Sequence, residues 1–280
     1  MTYLDSASPK PFWTHLRSLS WPWRITWIYL ILFLLLPIVA LVLRASALDA
    51  SEIWRIATDP VALSTYNVTF LTALAAAAIN GIAGLIVAWV LVRYEFPGRR
   101  YLDALIDLPF AMPTAVAGLT LSTIYSSNGW IGSLLDPLGI KVSFTRSGVL
   151  VAMIYISLPF VVRTVQPVLQ ELEAEVEEAA WSLGASEWQT FWRVILPLLL
   201  PALLTGVAMG FSRAVGEYGS VVIIAGNIPF QDLIAPVLIF QRLEQFDYAG
   251  ATVIGTVLLL ISLLILLMIN VLQSLGKRYG

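Results

Sequence analysis

Arg213 and Glu217 stand four residues apart in Phe211-Ser212-Arg213-Ala214-Val215-Gly216-Glu217-Tyr218-Gly219, inside a run that is largely apolar from Leu198 to Ala225. If that run crosses a bilayer, its arginine costs about 2.5–3.5 kcal/mol at mid-helix on insertion scales. Something must offset that cost. On a helix, residues four apart share a face, which permits a mutual ion pair or separate partners on a neighbouring helix. Two roles are open. The pair can fix helix register, or Arg213 can offer fixed positive charge to an anion in transit while Glu217 orients it. Counting from Leu198 at about 1.5 Å per residue puts Arg213 roughly 20–25 Å from the inner boundary, in the outer half of a bilayer.

A second cluster of chemistry-bearing residues fills the polar stretch 171–197. Glu171, Glu173, Glu175, Glu177 and Glu178 are too dense for a buried element, since their like charges repel unless water or basic groups surround them. Glu178-Ala179-Ala180 follows, then Gly184, then Val194-Ile195-Leu196-Pro197. The stretch is either a solvated acidic helix end or a surface that docks on a partner. Ala179 and Ala180 allow close approach, Gly184 suits the positive φ of a helix C-terminal turn, and Glu178 can meet a basic group. Pro197 is expected in the first turn of the next helix, where a missing N–H costs least.

Other chemistries are excluded by what the chain lacks. It has no cysteine and one histidine, His15, so thiolate metal sites, disulfides, cysteine nucleophiles and buried histidine triads cannot be built. An intramembrane enzyme is disfavoured because the spans read as lacking histidine and paired carboxylates. A net charge of -2 leaves no basic footprint for nucleic acid. No Gly-x-x-x-x-Gly-Lys-Ser/Thr loop is present, so any ATP must be hydrolysed by another subunit.

The elements that must carry these residues are membrane helices. The 280 residues are 59% hydrophobic and 12% charged, against about 25% charged in ordinary soluble domains. A bilayer core takes about 20 mainly apolar residues per helix. Six such spans are expected, at Ile25–Leu43, Val68–Val92, Leu102–Tyr125, Val149–Val168, Leu198–Ala225 and Ala251–Val271. These make one all-α, polytopic domain over 1–280, with a tail at 1–24 and the polar loop at 171–197. The first run exceeds the usual signal-peptide core of about 7–15 residues, so it is read as a retained span. Lys10, Arg17 and Arg24, then Arg93, Arg99 and Arg100, then Lys277 and Arg278 outweigh Arg44, Arg55, Lys141, Arg146 and Arg242 on the alternate side. The positive-inside rule therefore places both termini in the cytoplasm, and Asn128 and Asp232 outside.

Further features serve packing. Trp13, Trp21, Trp23 and Trp27 crowd the start of the first span, as an aromatic belt does. Ala77, Gly81, Gly84 and Ala88 form a small-residue seam on the second. Pro37, Pro109, Pro113, Pro159 and Pro201 interrupt apolar runs and mark kinks or mobile breaks. Asn67-Val68-Thr69 matches a glycosylation sequon but is read as the start of a helix.

The stretch from Glu178 to Pro197 resembles the cytoplasmic signature of ABC importer permeases: Glu-Ala-Ala, three residues, Gly, nine residues, then Ile-x-Leu-Pro. Val194 stands where that pattern favours isoleucine. The resemblance implies a type I importer permease whose loop forms a short coupling helix seated in an ATP-binding subunit. Glu178, Ala179, Ala180, Gly184, Leu196 and Pro197 would be its coupling residues. The Arg-x-x-Gly-Glu-Tyr-Gly stretch is similar to the sulfate and molybdate branch, and it adds Tyr218 to Arg213 and Glu217 as candidate pathway residues. Gly216 to Val222, Ala225 to Pro229 and Leu108 to Gly118 resemble the T-type permeases of sulfate/thiosulfate importers. That implies a homologous W-type permease partner, a pair of ATP-binding subunits carrying ATP and Mg, a periplasmic sulfate-binding protein and the bacterial inner membrane. This chain itself would bind no cofactor. Transport would proceed by alternating access. The rival cargo is molybdate or tungstate, and the rival class is a secondary anion transporter working without ATP.

Overall fold

A computed structural model of the chain describes residues 21–276. Lys10, Trp13, His15, Arg17, Lys277 and Arg278 lie outside the described residues, as does most of the expected tail. Every regular element among the described residues is helical. The chain falls into two compact units that divide between Ile53 and Trp54.

The first unit contains one apolar helical run, Trp21–Ser46. It consists of α1 (Trp21–Tyr29), a π-helical turn (Leu30–Leu35) and α2 (Leu36–Ser46). Pro37 sits at the start of α2, where its ring crowds the carbonyl four residues back and supplies no N–H. The wider π turn ahead of it, in which the Leu36 N–H reaches the Ile31 carbonyl, shifts the register so that the helix continues. Trp23 and Trp27 stack at 6.3 Å on its exposed surface. The next helix, α3 (Ala50–Ala57), carries the division between the units.

The second unit begins with α4 (Pro60–Arg93). This helix starts earlier than expected because Asp59 caps it, its Oδ1 accepting the N–H groups of Val61 and Ala62 at 2.9 and 3.3 Å. Asn67 is therefore well inside the helix. The following crossing is not the single helix expected from Leu102 to Tyr125. It comprises α5 (Arg99–Ile106), α6 (Leu108–Ala111) and α7 (Thr114–Tyr125). Pro113 forces the residue before it out of the helical region, and Met112 is extended at ψ 133°. The short α8 (Gly132–Leu135) precedes α9 (Arg146–Glu171), and then come α10 (Ala174–Ser182) and α11 (Glu187–Thr190). A π turn (Phe191–Ile195) joins α11 to α12 (Leu196–Val215). The chain ends on α13 (Val221–Ile224), α14 (Ala235–Glu244) and α15 (Tyr248–Gly276). Five helical runs among the described residues are long and apolar enough to cross a membrane, and the broken α5–α7 segment, the third crossing expected from the sequence, adds the shorter apolar helix Thr114–Tyr125. The protein is a multi-pass membrane protein.

Helices α4, α9 and α12 pack on one another at the centre of this unit. Lipid tails are as apolar as leucine, so helices associate through close packing and polar contacts. A Cβ on Gly84 would stand 2.7 Å from Val161 Cγ1, and one on Gly206 2.9 Å from Val161 Cα, so both backbones close on one valine. Ala77 and Ala88 complete the expected seam, each 0% exposed. Asn80 adds a polar tie across it, donating to Ser157 Oγ at 2.8 Å and the Ile154 carbonyl at 2.9 Å.

The fifth crossing ends at Val215, not Ala225. The Glu217 carboxylate captures the Ser220 N–H and Oγ–H, and this local bonding folds the chain into a turn in place of further helix. Asp232, expected in an outer loop, is buried at 2% exposure because its carboxylate accepts the N–H groups of Gly226 and Ile228. Beside it, Thr69 Oγ1 accepts the first N–H of α14, from Ala235, at 2.8 Å.

Candidate coupling loop and intramembrane ion pair

Helix α9 ends at Glu171, and extended backbone at Leu172 and Glu173 turns the chain into α10. Gly184 stops α10 in the left-handed region, at φ +82°. Its N–H donates to the Trp181 carbonyl at 2.9 Å, and the Ala185 N–H donates to the Ala180 carbonyl at 3.1 Å. Those two bonds make the Schellman closure, which satisfies the carbonyls that a helix end leaves bare. Ser186 then opens the next helix through a reciprocal capping box with Gln189.

The loop presents an exposed surface. Glu178, Ala179 and Gly184 are exposed, Ala180 is half-buried, and Leu183 is 90% exposed at the tip beside the exposed Trp181. Leu196 is half-buried and Pro197 exposed. Pro197 stands in the first turn of α12 as expected. The π turn ahead of it joins that helix to α11 in one continuous run, Glu187–Val215, and accommodates the ring as at Pro37.

Glu177, a residue sequence reasoning passed over in favour of Glu178, holds this loop to the body through an ion pair with Arg93 at the end of α4. The Arg93 guanidinium also lies over the Trp89 ring, 5.4 Å from its centroid. Trp89 in turn meets Phe191 edge-on at 5.4 Å. The signal was an arginine closing one span and an acidic run on the same side of the membrane. The pairing partner could not be read from spacing.

Arg213 and Glu217 do meet, with Nη1 and Oε2 2.7 Å apart, although they do not share a helix as expected. Arg213 is in the last turn of α12, where the carbonyl end of the helix dipole favours a cation. Glu217 lies beyond the helix end and is 1% exposed, whereas the Arg213 side chain is 32% exposed. The arginine borders a recess of about 450 Å³ lined also by Phe160, Thr205, Met209 and Ser212. Glu217 thus sits locked beneath, its Oε1 taking both Ser220 donors at 2.9 and 2.8 Å, while Arg213 reaches an open surface. Tyr218 packs on Phe240, with ring centroids 5.1 Å apart.

The expectation that the spans hold no paired carboxylates is corrected at Asp103 and Asp107. Both lie in the third crossing and both bind Arg163 of α9, at 2.6 and 2.7 Å. An arginine within an apolar span was visible in the sequence, by the same argument that singled out Arg213.

The geometry defines a multi-pass helical membrane protein with a short exposed helix and turn between two of its long helices. Residues 80–277 match the family described as "Binding-protein-dependent transport system inner membrane component". The chain belongs to that family, a class of ABC importer permeases. It is 64% identical over 285 residues to the sulfate transport system permease protein CysT of Synechocystis sp., covering 100% of this chain and 99% of that one. The protein of the same description in Synechococcus elongatus is 65% identical, covering 97% of this chain and 98% of its own length. Among solved structures, a bacterial ABC transporter involved in the import of the polysaccharide alginate superposes with a TM-score of 0.67 at 15% identity. That match covers 96% of this chain and 99% of the other. The inward-facing MetNI methionine ABC transporter gives 0.55 at 16% identity, covering 83% and 100%. At these identities the likeness shows the shared fold.

Proposed function

We propose that this chain forms one half of the translocation pathway of an ATP-driven sulfate importer in the bacterial inner membrane. The observation that carries the reading is near-complete alignment, at 64%, with a relative described as a sulfate permease. That favours sulfate over the molybdate alternative. The exposed helix and Schellman turn at 174–185 support an ATP-coupled mechanism over a secondary transporter, which has no need of such a projection.

In this reading α10 docks in a separate ATP-binding subunit, which carries ATP and Mg and performs the hydrolysis. Glu178, Ala179 and Ala180 face that subunit, Leu183 inserts as an apolar anchor, and Gly184 shapes the tip. Leu196 and Pro197 begin the lipid-depth part of the helix that the loop moves. A homologous permease completes the pathway, and a periplasmic sulfate-binding protein delivers the anion. Both termini are cytoplasmic. Closure of the ATP-binding pair draws the coupling helices together and opens the permease outward, and hydrolysis resets it. Arg213 supplies positive potential to the anion in transit, held in place by Glu217. Tight binding belongs to the delivery protein, because a pathway must release what it accepts.

The test is ATP hydrolysis by the purified complex with its binding protein, loaded in turn with sulfate, thiosulfate and molybdate. Stimulation by the sulfate-loaded form is the expected result. Stimulation by molybdate alone would reject the cargo, and no stimulation by any loaded form would reject the importer.

A further inference from the structure

Arg163 spends every donor it has. Its Nε and Nη2 grip the two Asp107 oxygens at 2.8 and 2.7 Å, and Nη2 also reaches the Asp103 carbonyl at 2.8 Å. Nη1 donates to Asp103 Oδ1 at 2.6 Å and to Gln166 Oε1 at 2.7 Å. Gln166 closes the ring by donating from Nε2 to Asp103 Oδ1 at 3.2 Å. Five donors thus meet five acceptors, in the fork geometry that makes arginine–carboxylate contacts strong. Phe110 adds an edge-on contact with Phe160, at 5.2 Å, one turn before Arg163 on α9. The charged contacts that fasten the broken third crossing to α9 therefore fall on its inner pieces, α5 and α6. Helix α7 meets α9 without them, and the break itself is touched by the Tyr155 hydroxyl, 3.3 Å from Met112 Sδ.

Its outer piece has its main seat elsewhere. A Cβ on Gly118 of α7 would stand 2.5 Å from the Ser220 carbonyl oxygen, and one on Gly219 would stand 2.1 Å from Thr114 Oγ1. Helix α7 is thus seated on the 216–224 turn that contains Glu217, and it packs on α13. Between the two pieces lie the extended Met112 and Pro113. Helix α9 itself contains Pro159, four residues before Arg163, where a missing backbone bond marks a natural bending point. Below Pro159 it passes a second internal proline, Pro167, and leads into the loop that Glu177 ties to Arg93.

We propose that Arg163 is a positioning residue for transport: it makes α5 and α6 travel with inner α9 and the coupling loop, while Met112–Pro113 lets them part from α7. This rests on the importer reading above. The clamp survives the motion because one planar guanidinium is held at once by both aspartates and Gln166, so no single contact carries it. ATP-driven movement of α10 is thereby converted into opening and closing of the third crossing at its break.

The chain has no cysteine, so spin labels can be placed in pairs within the assembled complex once partner cysteines are removed. One pair joins Tyr101 on α5, which is 80% exposed, to Trp181 on α10, which is 48% exposed. The other joins Tyr101 to Leu119 on α7, which is 60% exposed. Trapping the ATP-bound complex should leave the first distance unchanged and alter the second. Arg163→Gln should make the first distance nucleotide-dependent, keep ATP hydrolysis, and lower sulfate moved per ATP by about tenfold, within the usual span of coupling between sites. Asp107→Asn, which keeps an acceptor, should lie between the two. If Arg163→Gln does not assemble, the unaltered complex and Asp107→Asn still decide. Equal changes in both pairs, or unchanged transport per ATP in an assembled Arg163→Gln complex, would overturn the clamp while leaving the importer standing. No nucleotide response in either pair would reject both.

Discussion

The Ala185 N–H reaches back to the Ala180 carbonyl across Gly184, closing the exposed α10 at 3.1 Å. That relationship explains the spacing of the loop. Ala180 supplies the carbonyl three positions before the cap, and the glycine must follow four residues later to turn left-handed.

Gly184→Val should therefore break the loop's shape and spare the helix core. A β-branched residue in the left-handed region is strained by roughly 1–2 kcal/mol, and asparagine by less. The expected outcome is a membrane-inserted Gly184→Val protein that fails to retain its ATPase on co-purification, with Gly184→Asn retaining it. Full retention by the valine variant would disprove the docking role of the turn.

Glu177 and Glu178 should separate by phenotype although they are adjacent. Glu177 is engaged with Arg93, so Glu177→Gln should lower thermal stability by roughly 1.5–3 kcal/mol, the usual worth of a charged hydrogen bond. Glu178 is exposed, and Glu178→Lys should leave stability unchanged and abolish ATPase retention. Detergent melting curves beside co-purification yields check both outcomes.

Arg213 and Glu217 offer a double-variant test. If the arginine only balances the glutamate, Arg213→Met with Glu217→Gln should restore much of the transport lost in either single change, because no unpaired charge stays buried. The partial exposure of Arg213 above a locked Glu217 favours the other outcome, a well-assembled double variant that remains inactive. Recovered sulfate uptake would leave Arg213 as a structural residue.

Orientation can be read by single-cysteine labelling in this cysteine-free chain. Cysteines at Ser186 and Arg99 should react from the cytoplasmic side only, and one at Asn128 from outside only. Trp130, at 86% exposure, replaces Asp232 as the second outer probe because Asp232 is buried. Labelling of Ser186 from outside would invert the topology.

The long crossings were legible because bilayer burial demands long apolar runs, and Glu178 to Pro197 because its turn residues recur at fixed offsets. The break at Met112–Pro113 was foreshadowed by two prolines, yet an apolar count alone joined α5 to α7. Glu217 was placed on the wrong side of a helix end, since its bonds to Ser220 compete with the helix in a way that hydropathy does not register. The Arg163 cluster joins residues 56 and 60 positions apart, which no local spacing reveals. Arg163 itself was nonetheless visible as a charge in a span.

The most direct measurement of the central claim is uptake of labelled sulfate into proteoliposomes containing the assembled complex, with binding protein outside and ATP enclosed. Uptake should require ATP and the binding protein, disappear with Glu178→Lys, and yield to excess unlabelled sulfate in preference to molybdate. Sulfate accumulation that persists without ATP, or in the Glu178→Lys complex, would contradict the account.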